Sequence, residues 1–446
     1  MPALSLSCSR TSIAVKSLLS VYATHACIRL DDIENTIVQS NVIGDREEWM
    51  VRLFAVAMAA LSLSQTAEAT PLSDFTLATW NIQTLATPGR KVFDNSAARQ
   101  QADYDDLRAV EHDLDADVYA LEEISSPAAL ALVFPPSEFI LCFSGQWNAD
   151  AQRLGPQYDF DALAAKGIKP HCFEDATAGL PDTAVTPGLP DGKADPLLAQ
   201  YTAIAVRRTS GIKIDAITDV PRLGVAQNDR DQETGTFVVR NVRWGLDATL
   251  SRGESRMHLL VVHMKSGCFD GYLTKKWWSA TTDTWQKAEK RDHACEVYAR
   301  QLPALRAWIA ERKTDSDDFV IAGDFNRRLD LELLDATSPD LWPILTGTET
   351  TDPSDDIHLS HVPRDETVAT GKACWVGIPP DQNVAIDFFV MSPGVEPPDW
   401  QANVRKVLFT EVSRPNGSKV SIAVTKAEAD IEASRLSDHC PRALKF

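Results

Sequence analysis

The residues best equipped for chemistry fall in six short clusters: Thr79-Trp80-Asn81, Leu121-Glu122-Glu123-Ile124, Val262-His263-Met264-Lys265-Ser266, Gly323-Asp324-Phe325-Asn326, Ile386-Asp387-Phe388 and Leu436-Ser437-Asp438-His439-Cys440-Pro441. Together they supply carboxylates, carboxamides and imidazoles. Hard divalent cations are held by a few such oxygens, with water completing the shell. An imidazole becomes useful when an acceptor orients one ring nitrogen and frees the other. Carboxylates, a cation and imidazoles in one pocket are the parts needed for metal-assisted hydrolysis of a phosphate ester.

The elements between these clusters decide whether they can meet. Phe75 to Trp80 has the Thr, Leu and aromatic content of a strand. Residues 98–114 repeat apolar positions at helical spacing, with Leu107, Val110 and Leu114 on one face. Asp117 to Leu121, Tyr201 to Val206, Leu246 to Leu250, His258 to Val262, Phe319 to Ala322 and Ile386 to Met391 read as further strands, and 293–312 as a helix burying Leu302, Leu305, Trp308 and Ile309. Residues 143–198 are rich in Gly, Pro, Asp and Ala without clear periodicity and read as a surface insertion. A second insertion, 269–290, carries Tyr272, Trp277, Trp278 and Trp285, and 335–383 reads as loop-rich. Strands outnumber helices, and the polar clusters sit at strand ends, where side chains converge over one edge of a packed sheet pair.

Taken in order, Trp80-Asn81, Leu121-Glu122-Glu123, His263-Met264-Lys265-Ser266, Gly323-Asp324-Phe325-Asn326, Ile386-Asp387-Phe388 and Ser437-Asp438-His439-Cys440-Pro441 resemble the endonuclease/exonuclease/phosphatase superfamily over residues 74–446. One tetrapeptide alone is a weak match; six in the family's order are a specific one. The resemblance implies a four-layer α-β-β-α sandwich of two mostly antiparallel sheets. It implies that Asn81, Glu123 (rather than Glu122) and Asp438 hold a divalent cation, Mg2+ or Mn2+ with Ca2+ as a further option. Asp324 would orient or deprotonate the attacking water, and Asn326 would donate to a phosphate oxygen. Asp387 would orient His439, which contacts the scissile phosphate, and His263 matches the second imidazole of the deoxyribonuclease and sphingomyelinase branches. Arg243 and Tyr201 are the phosphate-side candidates, since arginine grips phosphate bidentately; Arg240 competes for that role. On strand alternation alone, Glu122 and Glu123 should point to opposite faces.

Bulk composition sets outer limits. The hydrophobic fraction is 44% and the charged fraction 24%, ordinary for a globular protein. A net charge of -19 gives no long-range attraction for a polyanion, but a bound cation reverses the sign locally. From Met50 the chain reads Met-Val-Arg, an apolar run from Leu53 to Leu63, then Ala67-Glu68-Ala69, the layout of a secretory signal peptide over 50–69 and too short for a membrane span. Residues 1–49 then read as an extension upstream of the true start, and 70–446 as one domain with the two insertions. Six cysteines remain beyond the signal, and Cys142 with Cys172, and Cys268 with Cys295, are the preferred pairs because each would staple an insertion. Cys440 is expected to be buried and free.

The expectation is a secreted or periplasmic, monomeric phosphodiesterase, with nucleic acid as first substrate. A lipid or inositol phosphoesterase is the alternative. A non-enzymatic binding or toxin subunit on the same fold ranks below it.

Overall fold

The computed structural model describes residues 72–446 apart from 91–97, 152–167, 174–199, 231–236, 270–272, 274–275, 280–283, 288–292, 316, 330–340, 347–356 and 363–384. The signal-peptide reading of 50–69, the 1–49 extension and Tyr272 lie outside the described residues, as do the side chains of Arg240, Trp277, Trp278 and Trp285.

In chain order the strands are β1 (Thr76–Leu85), β2 (Val118–Ile124), β3 (Phe139–Phe143), β4 (His171–Phe173), β5 (Tyr201–Arg207), β6 (Lys213–Val220), β7 (Ala226–Arg230), β8 (Phe237–Asn241), β9 (Gly245–Arg252), β10 (Ser255–His263), β11 (Lys276–Ser279), β12 (Thr284–Lys287), β13 (Phe319–Asp324), β14 (Ser360–Val362), β15 (Asp387–Met391), β16 (Val404–Lys406) and β17 (Arg442–Lys445). One sheet has seven strands in the order β16-β17-β1-β2-β5-β3-β4, the other six in the order β14-β15-β13-β10-β9-β6. Pairing is antiparallel except between β1 and β2 and between β10 and β13.

Period-two alternation builds the layers. In β2, Val118 and Ala120 enter the core between the sheets, while Tyr119 and Leu121 enter the outer core under helices Gln101–Leu114 and Pro127–Val133. In β10, Leu259 and Val261 face the first sheet, while Leu260 and Val262 face helix His293–Asp315, which supplies Tyr298, Leu302, Leu305, Trp308 and Ile309. Strands buried on both faces are therefore continuous apolar runs, and the order is helix, sheet, sheet, helix. This is the four-layer sandwich the sequence implied.

The described parts of the two insertions and of the loop-rich stretch include regular elements. Within 143–198, β4 pairs with the edge strand β3, and Cys142 lies opposite Cys172, to which it is disulfide-bonded. Within 269–290, β11 and β12 form a hairpin that sets Trp278 opposite Trp285. Within 335–383, β14 adds to β15 at the edge of the second sheet. Cys268 is bonded to Cys295. Cys440 is buried, but it is disulfide-bonded rather than free, with its partner outside the described residues. Among the described residues no helix is long and apolar enough to cross a membrane.

Register brings the polar clusters to one edge. Asn81 lies opposite Glu122 across the parallel β1–β2 pair. His263 lies opposite Asp324 across the parallel β10–β13 pair, and Asp324 lies opposite Asp387 across β13–β15. Three neighbouring strands of the second sheet thus present an imidazole and two carboxylates in a row. Cys440 and Pro441, just after His439, lead into β17, which pairs with β1.

Candidate active site at the sheet ends

The site begins with a carboxylate that two neighbours hold in place. Asp324 Oδ1 accepts from the Asn326 backbone N–H at 2.8 Å, and Oδ2 accepts from Asn81 Nδ2 at 3.1 Å and Asn326 Nδ2 at 3.0 Å. The strand ends at Asp324. Asn326 takes a positive φ of 49°, and the resulting turn folds its amide back onto Asp324. Its other amide contact is the Met264 carbonyl at 3.0 Å. Asn326 therefore positions Asp324, and its amide hydrogens are already engaged rather than aimed at a phosphate.

Asp324, Asp387 and His439 each offer an atom within 4.8 Å of the others. His439 Nδ1 is 3.0 Å from both oxygens of Asp387, and Nε2 is 3.7 Å from Asp324 and 3.9 Å from Asp438. Burial works against charge on this imidazole, but Asp387, Asp324 and Asp438 hold its pKa well above the ordinary value. Burial pushes Asp324 up to about 7, with Asp387 adding to the rise and His439, Asn326 and Asn81 opposing it. His263 is the opposite case. Its Nε2 is 3.6 Å from Asp324 and 3.7 Å from Glu123, yet burial, helped by Arg243, His439 and Lys265, drives its pKa well below the usual range. One imidazole is held charged and the other neutral.

The strand-alternation expectation for the two glutamates fails for a local reason. Glu123 sits at a positive φ of 60°, which breaks the alternation and brings both side chains to the site. Glu123 Oε2 accepts from the Thr84 N–H at 3.0 Å, and Oε1 lies 3.4 Å from Asn81 Nδ2. Glu122 is fully buried, accepts from Thr79 Oγ1 at 3.3 Å, and is pushed well up by burial and by Asp387 and Asp324. A Cβ added to Gly323 (φ 144°) would stand 2.0 Å from the Val262 carbonyl and 3.0 Å from Glu122 Oε1, so only glycine fits there. Asn81 also departs from expectation. Its Oδ1 accepts from the Gln83 N–H at 2.9 Å, leaving its N–H groups to bridge Glu123 and Asp324.

A cleft of about 630 Å³ opens over this cluster, lined by Glu123, His263, Asp324, Asn326, Asp387, Asp438 and His439. Lys406, Lys426, Arg328 and Arg442 also line it. Asp438 is the exposed member, its side chain 53% accessible. Arg243 stands behind Glu123 at 4.0 Å and donates to Gln200. Tyr201 is not brought to the cleft. It is 3% exposed and packs edge-on against Phe143, because its position on β5 points into the outer core.

The oxygen-rich set fits a hard cation. Glu123, Asp324 and Asp438 converge on the cleft, and Glu122 Oε2 is buried with no hydrogen-bond partner among the described residues. Sequence reasoning passed over Glu122 and Ser437. The doubled acid of Glu122-Glu123 was the one visible signal for the first.

Two sheets flanked by helices, with carboxylates and imidazoles meeting at one end of both, define a four-layer α/β sandwich with an acid–imidazole site. Among solved structures the chain is similar to an endonuclease/exonuclease/phosphatase from Bacteroides vulgatus, at 12% identity over 84% of this chain and 98% of that one, with a TM-score of 0.39. It is similar to an endonuclease/exonuclease/phosphatase family protein from Leptotrichia buccalis, at 12% identity over 83% and 98%, TM-score 0.38. It is also similar to the 3′ phosphatase NExo from Neisseria, bound there to a product DNA hairpin, at 13% identity over 83% and 99%, TM-score 0.36. No family model matches the chain, and no curated protein matches it. Likeness at this identity and TM-score carries no chemistry across, so the function is argued from this chain's own side chains.

Proposed function

We propose that the chain is a divalent-metal-dependent phosphoesterase that cleaves phosphodiesters. The observation that carries the reading is the convergence of Asp324, Asp387 and His439 within 4.8 Å, with Glu123 and His263 lining the same cleft. Glu123 and Asp438 would hold Mg2+, Mn2+ or Ca2+, with Asn81 keeping Glu123 and Asp324 together. When bound, such a cation neutralises charge on the phosphoryl and leaving oxygens.

The chain's own groups do the rest. Asp324, with both oxygens fixed and its pKa raised to about 7, orients a water and takes its proton as the new P–O bond forms. His439, kept as imidazolium by Asp387, faces the phosphate through Nε2 and gives its proton to the leaving oxygen as the old P–O bond breaks. His263, neutral, contributes a hydrogen bond without adding a like charge beside His439.

Nucleic acid is the favoured substrate, because Lys406, Lys426, Arg328 and Arg442 put cations on the cleft wall of an otherwise acidic protein. A lipid phosphoester is the second reading. Ile422, Val424 and Ile431 are 73%, 70% and 62% exposed, and they flank or lie on helix Lys426–Arg435, whose Lys426, Ala429 and Ala433 line the cleft. Two disulfides and the bonded Cys440 suit a secreted or periplasmic protein.

The test is metal-dependent turnover of bis(4-nitrophenyl) phosphate, 4-nitrophenyl phosphate, plasmid DNA and sphingomyelin in parallel. Turnover of DNA and the synthetic diester is expected. Turnover of sphingomyelin alone would move the assignment to the lipid reading, and inertness toward all four would end the phosphoesterase proposal.

A further inference from the structure

Arg99 lies outside every motif that carries the chemistry, yet its guanidinium touches both halves of the site's scaffold. It is 5% exposed. Nη1 donates to the Thr84 carbonyl at 3.0 Å, and Nη2 to the carbonyls of Ile82 and Gln83 at 2.9 Å each. Nε donates to the Arg435 carbonyl at 2.7 Å, and Nη2 to that of Leu436 at 2.8 Å. Five carbonyls from two segments, more than 330 residues apart in sequence, close on one planar cation.

The backbone explains why a guanidinium is needed. In a regular strand, successive carbonyls point to alternate sides. Gln83 and Thr84 instead take positive φ angles of 40° and 54°, which turns three successive carbonyls toward one point. Carbonyl dipoles so gathered repel one another unless a cation sits among them. A guanidinium offers five N–H donors in a fixed fork; an ammonium offers three on a flexible stem.

The same peptides hold the site on their other side. Gln83 gives its carbonyl to Arg99 and its N–H to Asn81 Oδ1. Thr84 gives its carbonyl to Arg99 and its N–H to Glu123 Oε2. Past Leu436, Ser437 Oγ donates to the Asn81 carbonyl at 2.6 Å and accepts from the His439 N–H at 2.9 Å. The Arg435 side chain pins that segment from outside, onto Asp103 and Asp106 of helix Gln101–Leu114.

We infer that Arg99 is a positioning residue: it sets Asn81 and Glu123 at a fixed distance from Asp438 and His439 by gathering the backbone carbonyls that flank both pairs. The inference rests on the phosphoesterase reading for its consequences, and on geometry alone for its existence.

The experiment compares wild type with Arg99→Lys and Arg99→Gln. Three quantities are read on protein whose fold is checked by near-UV circular dichroism. The first is Mn2+ affinity by electron paramagnetic resonance. The second is kcat and KM on bis(4-nitrophenyl) phosphate. The third is the His439 ring N–H proton resonance, assigned by its loss in His439→Gln. The expected result is a folded lysine variant with weakened Mn2+ binding, a broadened or shifted His439 resonance, and a kcat lower by about 100-fold, the size of effect a misplacement near 1 Å produces. KM should stay within about threefold of wild type, since substrate contacts are kept. A purely structural role would lower the melting point and the folded fraction while leaving kcat per folded molecule and the resonance unchanged; that outcome overturns the inference. So does failure of both variants to fold, which would make Arg99 a fold determinant. If wild type is inert on every ester, the phosphoesterase reading falls, and the His439 resonance alone decides the clamp.

Discussion

His439 Nδ1 stands 3.0 Å from each carboxylate oxygen of Asp387, so the ring is gripped symmetrically on one side and presents Nε2 to Asp324 and Asp438 on the other. A ring held this way keeps its Nδ1–H on Asp387 and has one orientation available. Asp387→Asn keeps the shape but removes the negative charge that holds the ring as imidazolium. Its kcat should fall by about 10²- to 10⁴-fold with little change in KM, as when an orienting carboxylate is neutralised in a comparable dyad. A steady-state assay on a synthetic diester measures it, and a kcat near wild type would remove Asp387 from the mechanism.

Asp324 lies against Asn81, His263, Asn326 and His439, and its replacement tests the proposed base directly. Asp324→Asn and His439→Gln should each abolish measurable turnover while circular dichroism stays unchanged. Tyr201→Phe should leave turnover within about twofold, because a hydroxyl on a side chain packed in the outer core touches no substrate.

Chelation should silence the enzyme reversibly. Treatment with EDTA is expected to remove activity, and Mg2+ or Mn2+ to restore it. A cation at about 100 times its Kd would raise stability by about 2.7 kcal/mol if it binds only the folded form. A melting point that ignores both chelator and metal would argue against a cation at Glu123 and Asp438.

A pH dependence of stability is expected away from the site. Asp219 accepts from Ser144 Oγ at 2.7 Å and from the Gly145 N–H at 3.0 and 3.1 Å, tying the end of β6 to the end of β3. Burial nevertheless raises its pKa from 3.8 to about 7, against those two donors. Between these values the folded protein holds a proton that the unfolded chain releases. This group therefore favours the fold at the acid end, and that contribution is lost as pH rises through about 7. The melting-point difference between wild type and Asp219→Asn should shift against wild type from pH 4 to pH 7. A difference independent of pH would show that Asp219 titrates as an ordinary carboxylate.

Much of the layout could be read along the chain. The strands carrying Asn81, Glu123, His263, Asp324 and Asp387 are apolar runs, and a polar residue closing such a run belongs at a sheet end. The pairs Cys142–Cys172 and Cys268–Cys295 were also legible, since each brackets a stretch of irregular composition. Arg99 was not, because its five partners are backbone carbonyls, and carbonyl direction depends on φ angles that residue types do not reveal. The same holds for Glu123, whose positive φ cancels the alternation that would have sent Glu122 away from the site. Tyr201 reads as a ligand on its polar tip alone, whereas in the fold its ring packs against Phe143 in the outer core.

Residue chemistry and its periodicity were enough to determine what the chain could assemble: two apolar sheets with acids, amides and imidazoles at their ends. Register decided which of these meet, since a shift of one residue sends every side chain to the other face. Only the folded chain makes Asn326 a brace for Asp324, keeps His439 charged and His263 neutral, and places Arg99 among five carbonyls. Each of these outcomes depends on burial and on distances between residues far apart in sequence, and neither quantity exists until the sheets pack.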